Sequence, residues 1–381
     1  MLATGLERLR ARYRKTAPEW IGLVRGRHPA FVTAAQPGRL DGEIPVFTFH
    51  DVEPGVFEAQ LAHLARGGYR TLGGEALRRV LAGEAPLAPD SVVLTFDDGL
   101  ASLREVVHPL LARHGFRGLA FVVSGHVPER RTASEPLCSW EELREMHAAG
   151  TLEIHSHSHH HDRVPVSPEV VDFLHPGFDA GFAHSKVPAC HAGGALRFER
   201  ELAWGTPIHR SEPRMLGRAP HLEDEDARRA CQRHVAERGG AAFFARPGWR
   251  RELLAVHRAA QRPGAHRRYA SREQAAAAIE DDLRRSRETL RAQVPGAAAD
   301  HLCFPWYAGS ALALEAAARV GFRVVHWGLR ADRRTNRPGD DPHRVVRVDE
   351  RWLLRLPGEG RRPLAAVLGA QLAAIARRAR A

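Results

Sequence analysis

Lysine is almost absent from this chain of 381 residues and stands only at positions 15 and 186. Nearly all of its 56 basic side chains are therefore arginine, set against 45 acidic ones for a formal charge of +11. Such an excess suits an anionic partner such as a phosphate group or a membrane surface. With alanine abundant it also reads as a coding bias that leaves much of the arginine as solvated surface. Cysteine is scarce: Cys138, Cys190, Cys231 and Cys303 lie far apart and form no metal-ligand pair. That usage predicts reduced, mostly buried thiols and a cytoplasmic protein. No run approaches the roughly eighteen apolar residues of a membrane span. Residues 1–30 carry Arg8, Arg10, Arg12, Arg14, Lys15, Arg25 and Arg27 with no apolar stretch behind them, which predicts no signal peptide. No helix-turn-helix, zinc-finger or OB-type pattern accompanies the scattered arginines, so nucleic acid is excluded as the expected partner.

What is present is a rhythm. Short apolar runs recur at Ile44–Phe49, Ser91–Phe96, Gly118–Val123, Thr151–His155, His301–Phe304, Phe322–Trp327 and Arg344–Val348, each ending on polar residues. Helical patterns separate several of them, at Val56–Leu64, Leu103–Leu111 and Trp140–Met146. The longest runs from Arg272 to Gln293, opened by Ser271 and Gln274 in a capping-box arrangement and lined by Ile279, Leu283, Ser286 and Leu290. Another helix lies between Ser310 and Gly321. Alternation of this kind predicts an α/β fold with a mostly parallel sheet. Seven strand candidates with polar C-terminal ends favour barrel-like closure, and such barrels carry their chemistry on that face.

The rhythm breaks between residues 162 and 263. This stretch is too long for a loop and reads as an inserted subdomain or lid after the fourth strand. The expected organisation is an N-terminal helical segment (1–43), a barrel (44–161 and 264–350), the insertion (162–263) and a C-terminal helix (351–381). Leu2, Leu6, Leu9 and Tyr13 share one face of a basic helix, which suits either a domain cap or peripheral contact with an anionic membrane.

Two motifs carry chemistry. Asp97 and Asp98 end the second apolar run, with Gly99 behind them. Successive side chains of a strand point to opposite faces, so adjacent acids can serve different partners. His155-Ser156-His157-Ser158-His159-His160-His161 closes the fourth run. Imidazoles and carboxylates are the ligands zinc prefers, and catalytic zinc takes three protein ligands and leaves one position open. His155 with His159, or His157 with His161, stands at i, i+4 spacing and would share a face if the tract began a helix. One of the two aspartates would complete a two-histidine, one-carboxylate set and leave the other free as a base.

In these motifs the chain resembles the polysaccharide deacetylase family, the one with the NodB-homology domain. Thr95-Phe96-Asp97-Asp98-Gly99 matches its first motif. Glu153-Ile154 and the histidine tract match its second, in the register that selects His157 and His161. Phe304-Pro305-Trp306-Tyr307 looks like a variant of the third, and Phe49-His50-Asp51-Val52 is similar to the end of the first strand in many members. The resemblance covers roughly residues 44–161 and 271–348. It implies a distorted seven-stranded (β/α) barrel and metal-dependent removal of an N-acetyl group from an amino sugar. It further implies Asp97 as the catalytic base and Asp98, His157 and His161 as ligands of a divalent metal, Zn2+ with Co2+ or Ni2+ as alternatives. The backbone N–H of Trp306 would help hold the oxyanion, and Pro305 and Tyr307 would line the substrate site.

The chain departs from the family twice. The arginine that partners the base in the third motif is missing, with Cys303 and Phe304 in its place. The late histidine that acts as general acid is missing as well, since no histidine follows His343. His50 and Asp51 are the best-placed substitutes, and His326, His175 and His184 are others. Trp204, Trp249, Trp306 and Trp327 could offer stacking surfaces to a sugar. The expected substrate is an N-acylated amino sugar of a glycan precursor or polysaccharide, and a phosphate-linked one would suit the arginine excess. The departures admit two rival readings: a deformylase or cyclic-amide hydrolase on the same fold, and a catalytically inactive glycan-binding module.

Overall fold

The computed structural model describes residues 21–133, 135–181, 185–192, 195–197 and 203–380. The basic helix face expected at Leu2–Tyr13 and the candidate His184 lie outside the described residues.

All seven apolar runs form parallel strands. They are β1 (Val46–Phe49), β2 (Ser91–Phe96), β3 (Gly118–Val122), β4 (Leu152–Ser156), β5 (His301–Cys303), β6 (Val324–Trp327) and β7 (345–349). Each pairs with the next in chain order. The last strand closes the ring: Val345 and Val346 pair with β6, whereas Val348 and Asp349 pair with β1. Both faces of these strands are covered, which is why they read as continuous apolar runs rather than alternating ones. A two-residue strand, Arg70–Thr71, adds to the outer edge of β2.

Helices clothe the outside. α1 (Pro54–Arg66) follows β1, α3 (His108–His114) follows β2, α4 (Trp140–Ala148) follows β3, α5 (Arg272–Gln293) precedes β5 and α6 (Ala311–Val320) follows it. Ser271 Oγ accepts from the Gln274 N–H, and the Ser271 N–H donates to Gln274 Oε1, so α5 opens with the expected reciprocal cap. Its buried stripe includes Ile279, Asp282, Leu283, Ser286 and Leu290. The interior holds Val46, Val93, Leu119, Phe121, Cys303, Val324 and Val345. It is plugged from the strands' N-terminal end by Leu77, Val80 and Leu81 of α2 (Gly74–Leu81), a helix the sequence pattern did not reveal.

Between β4 and α5 the chain builds an antiparallel pair, Arg163–Phe173 with Pro207–Pro213, and two helices, Glu225–Glu237 and Trp249–Ala260. Phe173, Cys231, Val235, Phe243 and Leu253 form a core of their own. All four cysteines are buried and free. Among the described residues no helix is long and apolar enough to cross a membrane.

The ring closes over a polar clamp. Buried Asn336 donates from Nδ2 to the carbonyls of Ile44 and Val346 at 3.1 and 2.8 Å, and its Oδ1 accepts the Val346 N–H at 2.8 Å. Removing one partner of a buried hydrogen bond costs about 1–3 kcal/mol. Asn336→Ala is therefore expected to lower stability by about 2–4 kcal/mol, read as an earlier urea-unfolding midpoint with an unchanged slope; a change below about 0.5 kcal/mol would contradict the clamp.

Candidate active site

The C-terminal ends of β2, β4, β5 and β7 bring the carboxylates, the imidazoles and one arginine together. The backbone at Asp98 has φ 73° and Gly99 has φ 81°. Two successive left-handed residues turn the chain sharply and separate the two acids, a conformation L-residues adopt at a cost. Asp98 Oδ1 lies 3.5 Å from His157 Nε2 and 3.6 Å from His161 Nε2. Asp97 lies on the other side, with a different partner.

The histidine tract is not helical. β4 ends at Ser156, and a turn with Ser158 at φ 69° and His161 at φ 50° folds His161 back toward His157. Ser158 Oγ accepts the His161 N–H at 3.0 Å, and Ser156 Oγ accepts the Ser158 N–H at 3.1 Å. The buried Asp282 of α5 accepts the N–H groups of His159 and His160 at 3.0 and 3.2 Å and so pins the turn. Of the four histidines at i, i+4 spacing, His157 and His161 face Asp98. His155 points into the barrel, and His159 Nδ1 bonds Ser124 Oγ.

His157 Nδ1 donates to the Cys303 carbonyl at 2.9 Å, which fixes the tautomer and leaves Nε2 free to ligate. Burial pushes the His157 pKa down to about 4 and that of His161 well below its ordinary value, so both rings are neutral near pH 7. Tetrahedral zinc with ligand bonds near 2.0–2.1 Å separates its ligands by about 3.4 Å. The 3.5 and 3.6 Å spacings and the neutral imidazoles fit a divalent ion held by Asp98, His157 and His161.

Asp97 is paired with an arginine from another strand. Arg347 of β7 reaches across the interior and donates to both oxygens of Asp97, at 2.7 and 2.9 Å. It also donates to Thr95 Oγ1 at 3.2 Å and touches Cys303 Sγ at 2.7 Å, with its guanidinium over the rings of Phe121 and Tyr307. The third motif indeed carries no arginine, and Asp97 takes its arginine partner from β7 instead. Burial alone would raise the Asp97 pKa, but the charge of Arg347 and its hydrogen bonds outweigh it and hold the carboxyl well below the usual range. A signal for this residue existed, because Arg347 is a lone charge in the apolar run Val345–Val348, and a charge inside a barrel must be paired.

The remaining candidates separate. His50 stands at the open mouth with its side chain 49% exposed, Nε2 4.0 Å from Asp97 Oδ2 and its ring edge-on to Tyr307. Asp51 is exposed on the same loop and takes no part in the site's hydrogen bonds. Pro305 is buried and opens a tight turn in which Trp306 and Tyr307 have φ 53° and 56°. The Trp306 ring lies 4.1 Å from that of His161, and Arg163 stacks over it. His326 is a correction: it is fully buried inside the barrel, bonded to His301 and packed on Phe121, and cannot meet a substrate at the mouth. His175 packs with Phe178, Phe244 and Trp249 beside Asp172, in the core of residues 162–263. Trp204 joins that cluster, and Trp327 packs on Phe304 with its Nε1 donating to the His343 carbonyl.

Breaking a buried ion pair on one side leaves an uncompensated charge and costs about 3–5 kcal/mol. Arg347→Met is expected to destabilise by that amount at pH 7, and adding Asp97→Asn should restore part of it. Because the folded pKa of Asp97 is depressed, its contribution is complete above about pH 4, the unfolded value, and is lost as pH falls through the folded one. The stability gap between wild type and Arg347→Met, measured by denaturant titration, should therefore narrow in acid; a gap constant from pH 7 to pH 2 would contradict the pairing.

Comparison with known proteins bears on the fold and on the sequence motifs. The polysaccharide deacetylase family profile matches residues 84–172. The protein YxkH of Bacillus subtilis (strain 168) is 24% identical over 140 residues, 35% of this chain and 47% of its own length. A poly-beta-1,6-N-acetyl-D-glucosamine N-deacetylase of Staphylococcus aureus (strain MSSA476) is 32% identical over 69 residues, 18% of this chain and 24% of its own. The chain thus spans less than half the length of these curated relatives. Among solved structures, a de-N-acetylase from Aggregatibacter actinomycetemcomitans superposes with a TM-score of 0.51 at 16% identity, covering 81% of this chain and 95% of that one. The BpsB deacetylase domain from Bordetella bronchiseptica gives 0.51 at 18% identity, covering 82% and 98%. At such identities the structures speak for the fold, and the sequence profile marks residues 84–172 as similar to the polysaccharide deacetylase family.

Proposed function

We propose that this protein is a metal-dependent carbohydrate N-deacetylase that hydrolyses the acetamide of an amino sugar to a free amine and acetate. The observation that carries the reading is the division of the two aspartates, Asp98 against His157 and His161, Asp97 against Arg347. A divalent ion on Asp98, His157 and His161, zinc by the chemistry of its donors, would supply Lewis-acid polarisation of the amide carbonyl and of the attacking water.

The chain's own residues do the rest. Asp97 is ionised at neutral pH and held rigidly by two hydrogen bonds, so it is placed to take the proton of the attacking water. The Trp306 N–H donates to no described residue and lies in a strained left-handed turn. Such strain collects at functional sites, and a fixed donor there would stabilise the developing oxyanion. His50 would give the leaving amine its proton from the solvent-exposed mouth, and the sugar would lie against Trp306 and Tyr307. Residues 162–263, which enter beside Trp306 through Arg163, would form one wall of the cleft. We infer an amino sugar as substrate class because the motif pattern and the relatives' names point there.

Asp97→Asn is expected to reduce turnover of N-acetylated glucosamine oligomers by about 10²–10⁴-fold, the usual worth of a positioned base. His157→Ala should abolish it even with added zinc. Full activity in both variants, or equal turnover of N-formyl substrates, would overturn the reading.

A further inference from the structure

Below the catalytic group, toward the strands' N-terminal end, the barrel encloses a second set of ligand-type side chains. His155 lies two residues before His157 on β4, and His301 opens β5 beside it, their rings 4.6 Å apart. Both are almost wholly buried. Neither ring nitrogen of His155 makes a hydrogen bond, nor does His301 Nε2. Leaving such polar atoms buried and unpaired costs about 1–3 kcal/mol each, so three in one place call for a partner.

Their surroundings supply anionic ligands. Glu153 Oε2 lies 3.6 Å from His155 Nε2 and accepts the Gly74 N–H at 3.0 Å. Asp300 precedes His301, and its carboxylate falls with His155 and His301 in a group whose ligand atoms lie within 4.8 Å of one another. Arg323 reaches Asp300 only at 3.9 Å, from the solvent side. A Cβ placed on Gly74 would sit 3.0 Å from His301 Nε2, 3.2 Å from His155 Nε2 and 2.9 Å from Glu153 Oε2. Two imidazole nitrogens and a carboxylate oxygen thus all face the first turn of α2 at Gly74, where any side chain would collide with them.

The outer contacts complete a ligand geometry. His301 Nδ1 is 3.0 Å from Nε2 of buried His326. Donation from His301 Nδ1 to His326 leaves His301 Nε2 unprotonated, the arrangement in which a ligating histidine gives its other N–H to a neighbour. The 3.6 Å spacing of Glu153 and His155 matches that of Asp98 and His161. We propose that His155, His301, Asp300 and Glu153 bind a second divalent transition-metal ion, a structural one that ties the barrel floor to α2. Its ligand set shares no residue with the catalytic group. By comparison, buried His209 in residues 162–263 faces Glu223, but that glutamate already pairs with Arg228, and no three ligand atoms converge there.

The test is metal content of the full chain, loaded with zinc and dialysed, measured by plasma mass spectrometry. Two equivalents per chain are expected, falling to one in Asp98→Asn and to one in His301→Gln. In the Asp98→Asn background zinc should still raise the unfolding temperature, and adding Glu153→Gln, at the partly exposed edge of the cluster, should abolish that rise without unfolding the chain. One equivalent in wild type that is lost in Asp98→Asn, with no zinc-dependent rise there, would overturn the second site and leave the catalytic one standing. Unchanged metal content in Asp98→Asn, with loss in His301→Gln, would instead support the floor site and refute the catalytic assignment.

Discussion

The ion pair between Arg347 and Asp97 ties the closure of this barrel to the chemistry at its mouth. Arg347 sits in the strand whose first residues pair with β6 and whose last pair with β1. Its guanidinium crosses the interior to a carboxylate on the opposite side of that seam. Each charge alone would lose several kcal/mol on burial. Together, with Thr95 and Cys303 as further partners, they hold a carboxylate ionised where its neighbours are apolar or neutral. A barrel left open between β7 and β1 would lose both the pair and the ionised carboxylate of Asp97.

Strain is concentrated in the same place. Of the non-glycine residues with positive φ, Asp98, Ser158, His161, Trp306 and Tyr307 all belong to the site or flank it. Each left-handed conformation has a cost, and the loop bonds to Asp282, Ser158 and Ser156 hold Ser158 and His161 in theirs. α5 therefore serves the site indirectly. Its polar positions Asp282 and Ser286 stand inside an apolar stripe because they meet the backbone turn and serine hydroxyls above β4.

Polar side chains run through the barrel from mouth to floor. Asp97, His157, Cys303 and Arg347 make the upper layer, and His155, His301, His326 and Glu153 the lower one. An interior this rich in imidazole is costly to assemble unless its nitrogens find partners. The upper layer largely finds them within the protein. The lower layer leaves several unmet, and that difference separates the two sets as much as their position does.

The primary structure by itself determined the seven strands, the long capped helix and the family motifs. These rest on local hydrophobic period, capping chemistry and the spacing of Asp97-Asp98 and the histidine tract, all readable within a few residues. His157 and His161 were separated from their neighbours only through the family register; in the molecule, a turn and not a helix brings them to Asp98. Tertiary structure alone decided the rest. Arg347 is 250 residues from Asp97, and no local pattern ties them; closure of the ring does. His326 lies near the end of an apolar strand much as Asp97 and His155 do, yet it is buried inside the barrel against His301 and Phe121. α2 shows too weak a local pattern to announce itself, because what makes it a helix is the barrel floor it plugs. Side-chain direction and long-range closure are properties of the assembled ring.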